Sequence, residues 1–298
     1  LCGNRNKRSL AIDMKSPEGS VVIEKLIETA DVLSENFRPG VMDKLGFGYE
    51  AARKINPTLI YAAASGYGQD GPYSERPGQD LIIQALSGLA NINGNENQPP
   101  TAVGVSAADH HGAQILAMSI LAALFRRERT GKGARVDVDL LSAALDLQNE
   151  SLVCYTNGAA QSQRPPPNIA GWYFPAPYGI YSVQDGYMAI SLGSMEALAR
   201  ALSLPSLNNF DEDSVFQRKK EIAALIQAAV KDVKLVDLEA MLEKEKLWYG
   251  RVNDYSAVLC DPQIQHNGSF VEIKSAAQTP ITLLAHPAKY DGQRPEIR

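Results

Sequence analysis

The sequence predicts an α/β fold with a parallel sheet in a large domain, followed by a smaller α+β domain. Three observations carry this prediction. Apolar strand-like runs and helical patterns alternate through the first 65 residues at the spacing of strand–helix units. A turn-rich loop, Gly66-Tyr67-Gly68-Gln69-Asp70-Gly71-Pro72-Tyr73, follows a strand end, where α/β proteins place ligands. The pattern then changes at the proline-bearing stretch from Gln161 to Pro177, beyond which a hairpin and amphipathic helices take over.

Taken in order, Arg8 to Met14 alternates and reads as a strand. Ser16 is placed to cap a helix, with Pro17 at its first position and a helical period through Val21, Val22, Leu26 and Ile27. Asp31 to Asn36 reads as a strand, Tyr49 to Ile55 as a helix, and Thr58 to Ala64 as the next strand. A helix from Leu81 to Leu89 precedes the polar loop Gly94 to Pro100. The apolar run from Ile115 to Leu124 predicts a long buried helix, closed by Arg126, Arg127, Arg129 and a glycine cap at Gly131. Arg135 to Leu141 is the following strand, and Ala143 to Leu147 lies in another helix.

Past the crossover, Gly179 to Leu192 reads as a hairpin turning at Asp185-Gly186. Helices are expected near Met195 to Leu202, Phe216 to Val230 and Val236 to Lys246, and strands at Phe270 to Ile273 and Ile281 to Leu284. The expected division is 1–175 for the large domain, 176–265 for the small one, and 266–298 returning toward the first.

The chain of 298 residues is 45% hydrophobic and 21% charged, with a formal charge of -5. That acidic balance disfavours nucleic acid as a partner. Cys2, Cys154 and Cys260 are odd in number and widely spaced, so neither a disulfide framework nor a zinc motif is expected, and the cytoplasm is the expected compartment. The longest apolar run is too short to span a bilayer, and no membrane partner is expected. Leu1 is not a usual first residue, so a preceding segment is expected to be missing. No Gly-x-Gly-x-x-Gly fingerprint joins a strand to a helix, and no Walker-type lysine motif occurs.

The central chemical feature is Asp109, in Gly104-Val105-Ser106-Ala107-Ala108-Asp109-His110-His111-Gly112-Ala113. A carboxylate at the mouth of a buried helix is either a cap for a helix beginning at His110 or a reactive group meeting a ligand at the positive end of the dipole. The residues alone leave both open. His110 and His111 point in different directions on a helix, and with only His266 and His286 elsewhere no metal is expected.

Several stretches in order resemble the family III CoA-transferases: Asn6 to Ser9, Glu35-Asn36-Phe37-Arg38-Pro39-Gly40, Ser65 to Pro72, Gly104 to Gly112, Ala122 to Leu124, Arg129 to Gly133, Val138 to Leu141, Ala176 to Gly179, and Asp261-Pro262-Gln263. The α-methylacyl-CoA racemases share this fold. The resemblance spans the chain and implies a Rossmann-like large domain and an interlocked homodimer. It also implies that terminal elements, including the first strand and helix and the closing helix, are absent from this chain.

By that resemblance Asp109 is the nucleophile that attacks an acyl-CoA thioester and passes CoA to a free carboxylic acid through an aspartyl anhydride and an aspartyl-CoA thioester. Ile12, Lys15, Asn36, Phe37 and Lys44 fall where the family holds CoA, which is a substrate moiety; no tightly bound cofactor is expected. Taken alone, Lys15 and Lys44 read as solvated surface lysines; the matched Asn36-Phe37 context is what brings them to CoA. Tyr67, Gln79 and His110 are placed at the substrate pocket, and neither His110 nor His111 is assigned as a base. The racemases carry a histidine thirty residues before the aspartate; here that position is Gln79, whose side chain has no proton to exchange near neutral pH. Racemase chemistry is therefore the disfavoured alternative, and a non-catalytic CoA-ester-binding protein is another. Gly193-Ser194-Met195 departs from the consecutive glycines of some transferases.

Overall fold

The computed structural model describes residues 3–158, 164–274 and 279–297. The chain forms two compact units, Asp13–Gly250 and the pair Leu1–Ile12 with Arg251–Arg298.

The larger unit opens as the local signals require. The Ser16 hydroxyl accepts from the Gly19 amide at 3.0 Å, and Pro17 begins helix α1 (Pro17–Thr29). Strand β1 (Val32–Glu35), helices α2 (Val41–Lys44) and α3 (Tyr49–Ile55), and strand β2 (Ile60–Ser65) follow. Next come α4 (Asp80–Leu86), α5 (Leu89–Ile92), the long α6 (Ala107–Thr130), β3 (Ala134–Asp139), α7 (Leu140–Asp146) and α8 (Asn149–Thr156).

The sheet order is β1-β2-β3 and both pairings are parallel, with Glu35 opposite Ala63 and Ser65 opposite Asp139. The central strand is buried on both faces, which explains its continuous apolar run from Ile60 to Ala63. Ile27, Phe47, Ala52 and Leu59 pack beside it. Parallel strands send their exits to one edge, so the loops after β1 and β2 and the start of α7 leave together. Helix α6 runs back toward the opposite edge, where the Gly133 amide bonds the Pro57 carbonyl at 3.1 Å. Its first turn therefore lies at the carboxyl edge of the strands.

The loop after β2 folds tightly onto itself. A Cβ on Gly66 would lie 2.8 Å from the Gly78 Cα, and one on Gly78 would lie 2.6 Å from the Gly66 Cα. Two backbones this close admit no side chain at either position. This contact brings residues 79 and 80 back to the strand edge.

The rest of the larger unit contains β4 (Gly179–Val183) and β5 (Gly186–Ile190), paired antiparallel around Asp185-Gly186 as the sequence predicts. Helices α9 (Met195–Ala201), α10 (Ser214–Gln217), α11 (Lys219–Val230) and α12 (Leu235–Lys244) cover this hairpin. Tyr181, Met188, Ile190, Leu198, Ile222, Ile226, Leu238 and Leu242 form its core. Strand β6 (Tyr249–Arg251) completes the order β4-β5-β6. Of the predicted crossover, residues 161–163 lie outside the described residues, as does Cys2; Arg164 donates to the carbonyls of Asn91, Asn95, Gln98 and Pro99 and so pins the 94–100 loop.

The smaller unit contains α13 (Tyr255–Cys260), capped by Asp254, and α14 (Pro262–His266), capped by Asp261. Strands β7 (Phe270–Lys274) and β8 (Pro280–Leu284) pair antiparallel. The Arg5 guanidinium donates to the Leu284 carbonyl, and the Asn6 side chain to the Glu296 carbonyl at 3.0 Å. No described helix is long and apolar enough to cross a membrane.

Three local expectations are corrected. Residues 8–14 form no strand: the Asp13 carboxylate accepts from the Lys15 amide at 3.0 Å and its carbonyl from the Ser16 amide at 3.2 Å, which turns the chain into α1. Helix α6 begins at Ala107, not at His110. Nor is that helix buried throughout. Only Ala108, Gly112 and Ala123 are fully buried, while Met118, Leu121 and Phe125 are 64%, 66% and 61% exposed. One face packs on the sheet and α7; the other keeps its apolar side chains uncovered.

The glycine contact gives a direct test. Gly78→Ala is expected to lower the unfolding free energy in urea by about 1–3 kcal/mol through overpacking. Gly104→Ala, where an added Cβ meets nothing within 4 Å, should change it by less than about 0.5 kcal/mol.

Candidate active site

Asp109 occupies the third position of α6, behind an N-cap, Ser106, whose side chain makes no capping bond. The free amides of that first turn are met from elsewhere. Asp80, the first residue of α4, accepts through Oδ1 from the Ala108 amide at 2.8 Å and from the Asp109 amide at 3.2 Å. The cap foreseen for Asp109 is thus made in trans by Asp80, and the Asp109 carboxylate accepts no hydrogen bond from any described residue.

Asp80 is itself held. Its Oδ2 accepts from Gln84 Nε2 at 2.6 Å, one helical turn along α4. Gln84 is 1% exposed, and its amide also donates to the Val105 carbonyl at 3.2 Å and accepts from the Val103 amide at 2.8 Å. One buried side chain thereby ties α4, the approach to α6 and the capping carboxylate together.

The carboxyl of Asp109 is held above the ordinary aspartate value of 3.8. Loss of water around the carboxylate is the first cause, the like charge of Asp80 the second, and His110 opposes both. A raised value makes the carboxylate more basic and, once ionised, a better nucleophile.

Around this turn the chain packs closely. Gly112 lets α7 approach, since a Cβ there would lie 2.9 Å from Leu140 Cδ2. His111 Nε2 and Asp146 Oδ2 are 2.8 Å apart, tying α6 to α7. His111 is therefore engaged across a helix pair, while His110 is exposed beside Asp109. Among the described residues no group of three His, Cys, Asp or Glu side chains is placed to hold a metal ion.

Gln79 is the exposed N-cap of α4, immediately before Asp80. Tyr67 packs on Ile83, Ala108 and Ala144, meets Tyr73 edge-on at 5.7 Å, and directs its hydroxyl to the Pro77 carbonyl at 3.4 Å. Tyr67, Gln79 and His110 are thus gathered with Asp109 at one strand edge.

Asn36 and Phe37 stand exposed on the loop leaving β1, where the Glu35 carboxylate accepts from the Phe37 amide at 2.8 Å. Lys44 is exposed at the end of α2, and Lys15 is exposed just before α1. Ile12 closes the smaller unit's N-terminal segment. Arg38, charged but unplaced from sequence, lines a small polar pocket with Glu35, Asp43, Tyr61, Gln69 and Arg135. Burial pushes the Tyr61 hydroxyl up to about 12, with Glu35 and Asp43 adding to it. Burial likewise raises Glu35.

The family model for CoA-transferase family III matches residues 1–298. The chain belongs to that family. It is 30% identical over 301 residues to a succinyl-CoA:glutarate CoA-transferase from Mus musculus, covering 97% of this chain and 67% of the relative. It is 39% identical over 209 residues to an acetyl-CoA:oxalate CoA-transferase from Acetobacter aceti, covering 68% of this chain and 53% of the relative. The chain therefore spans about two thirds of the length of the first and about half of the second. Among solved structures, a CAIB/BAIF family protein from Brucella suis superposes with a TM-score of 0.81 at 30% identity, covering 99% of this chain and 78% of that one.

Asp80 and Gln84 are the functional residues that the sequence alone does not single out. The available signal was the Asp–x-x-x–Gln spacing, which pairs side chains along one helix face. Nothing local indicates that the pair reaches a helix more than twenty residues later.

In this family III chain, the cap assignment predicts opposite behaviour for two carboxylates. Asp80→Ala should cost about 1–3 kcal/mol, from a lost cap and an orphaned buried amide partner. Asp109→Asn should not lower stability. The native carboxyl binds its proton more tightly than the unfolded one, so ionised Asp109 disfavours folding at neutral pH, and the penalty fades as pH falls through the raised native value toward 3.8. The melting temperature of D109N should match or exceed that of the unaltered chain at pH 7, with the difference shrinking toward about pH 4.

Proposed function

We propose that the protein is a CoA-transferase moving CoA from an acyl-CoA thioester to a free carboxylic acid, with Asp109 as the nucleophile. The observation that carries this reading is the uncommitted Asp109 carboxylate at the head of α6, its capping duty taken by Asp80. The family membership and the transferase names of both relatives support it.

An Asp109 carboxylate oxygen attacks the thioester carbonyl carbon; the C–S bond breaks, CoA leaves as thiolate, and a mixed anhydride remains. The thiolate attacks the aspartyl carbonyl and expels the donor acid, leaving an aspartyl-CoA thioester. The acceptor carboxylate attacks that thioester and releases thiolate again. Attack of the thiolate on the acceptor's acyl carbon then forms the new acyl-CoA and restores Asp109. No proton, metal or redox partner is consumed.

The CoA-binding role falls to the part within 1–175, with Asn36, Phe37, Lys44 and Lys15 as the contacting set and Arg38 as an added cation on the same loop. Phe37, 46% exposed, offers an apolar face to the cofactor, and the lysines offer point charges to phosphates. Small dicarboxylates are the acceptor class, by analogy with glutarate and oxalate in the names of the relatives. Gln79 argues against the racemase alternative because two-base proton exchange needs a titratable partner. Gly193-Ser194 serves here as the cap of α9, the Ser194 hydroxyl accepting from the Ala197 amide at 3.2 Å.

We also propose a homodimer, in which a second copy covers the exposed apolar face of α6. Met118, Leu121 and Phe125 form an exposed apolar stripe at helical spacing, which a second copy would cover. Anhydride chemistry needs water excluded, and the exposed Asp109 of a single chain does not supply that by itself.

Intact-mass measurement of the full-length protein with succinyl-CoA and acetyl-CoA should show a covalent adduct that maps to Asp109. Asp109→Asn should abolish the adduct and reduce turnover by about 10³-fold or more. Normal turnover in D109N, free of deamidation, would refute the nucleophile. Deuterium uptake at the α-carbon without an adduct would favour the racemase; binding with neither would indicate a CoA-ester-binding protein.

Light scattering across a wide dilution range should find a persistent dimer of full-length protein, lost or aggregated in Leu121→Glu. A fully active monomer would refute the assembly.

A further inference from the structure

The first turn of α6 holds an unused local alternative. Ser106-Ala107-Ala108-Asp109 has the spacing of a capping box, in which the serine hydroxyl takes the amide of the fourth residue and the acidic side chain reaches back to the serine amide. In this structure neither half of the box is made. The Asp109 amide that Ser106 Oγ would take is bonded instead to Asp80 Oδ1 at 3.2 Å. Ser106 has φ -72° and ψ 71°, away from the extended backbone that a side-chain-capping N-cap adopts. Gln84 holds that backbone in place by gripping the residues on its approach, Val103 through its oxygen and Val105 through its amide.

We propose that Asp80, clamped by Gln84, is a positioning residue that caps α6 in trans and thereby keeps the Asp109 carboxylate out of a local capping box with Ser106. The inference rests on the nucleophile reading of Asp109 and goes beyond it, because it assigns work to two side chains that touch no reacting atom. In a closed box the Asp109 carboxylate would accept the Ser106 amide, turning inward and losing basicity to that hydrogen bond. With the trans cap in place the carboxylate keeps its full charge for attack. Gln84 suits the clamp because one amide offers both a donor for the carboxylate and an acceptor for the Val103 amide.

The test is the single-turnover rate of Asp109 acylation in full-length protein, with succinyl-CoA and acetyl-CoA as probes and the adduct site mapped by peptide mass. Asp80→Ala should slow acylation by about 100-fold, the scale of a misplaced reacting group, with the donor concentration at half-maximal rate changed by less than about threefold. Gln84→Met should act in the same direction, and it carries the test if D80A does not fold. Ser106→Ala alone should stay within about threefold, since the hydroxyl makes no cap. Added to D80A or Q84M, however, S106A should recover about tenfold by weakening the competing box. A merely structural role predicts no such recovery, because removing a second helix-start group can only destabilise further.

An adduct on Asp109 with D80A and Q84M acylating within threefold of the unaltered enzyme would overturn the positioning role alone. Slowing that S106A does not relieve would overturn the capping-box mechanism. Absence of an Asp109 adduct in the unaltered enzyme with both donors would overturn the nucleophile reading and this proposal with it.

Discussion

The bond from Asp80 to the first amides of α6 organises the site. A helix start leaves several N–H groups without partners, and something must satisfy them. If the nearest carboxylate in sequence did so, it would be spent as a structural group. Here a carboxylate from 29 residues earlier takes two of those amides, and Gln84 immobilises it. What remains is an acid at the positive end of a 24-residue helix with its charge unspent and its basicity raised first by loss of water and then by the charge of Asp80.

That arrangement depends on close backbone packing. Asp80 reaches α6 because the loop after β2 returns sharply, and the return is possible because Gly66 and Gly78 let two backbones meet. Gly112 makes room for the Leu140 side chain between α6 and α7, where the His111–Asp146 pair adds a polar tie. The parallel sheet contributes geometry rather than chemistry. By sending every strand end to one edge, it collects Asn36 and Phe37, Tyr67, Gln79 and the start of α6 along a single rim, the usual position for ligands in such folds.

The exposed face of α6 shows the other side of the same construction. A helix that packs on a sheet on one side and carries Met118, Leu121 and Phe125 on the other is unfinished as a lone surface. Burial of such side chains contributes roughly 1.5–3 kcal/mol each.

Much of this was legible in the residues, and for local reasons. Ser16-Pro17 as a helix start, Tyr49 to Ile55 as a helix and the hairpin at Asp185-Gly186 follow from capping, periodicity and turn chemistry acting over a few residues. The ordered motifs that identify the family are likewise a property of the chain alone. Residues 8–14 alternate like a strand, yet Asp13 bends the chain, and among the described residues no strand pairs with them. Asp109 reads equally as cap or reactive group because a helix start attracts both. Tertiary structure decided which carboxylate makes the cap, by bringing Asp80 across from α4 to α6. A short-range pattern can state that an amide needs a partner; only the packed fold determines which carboxylate reaches it first.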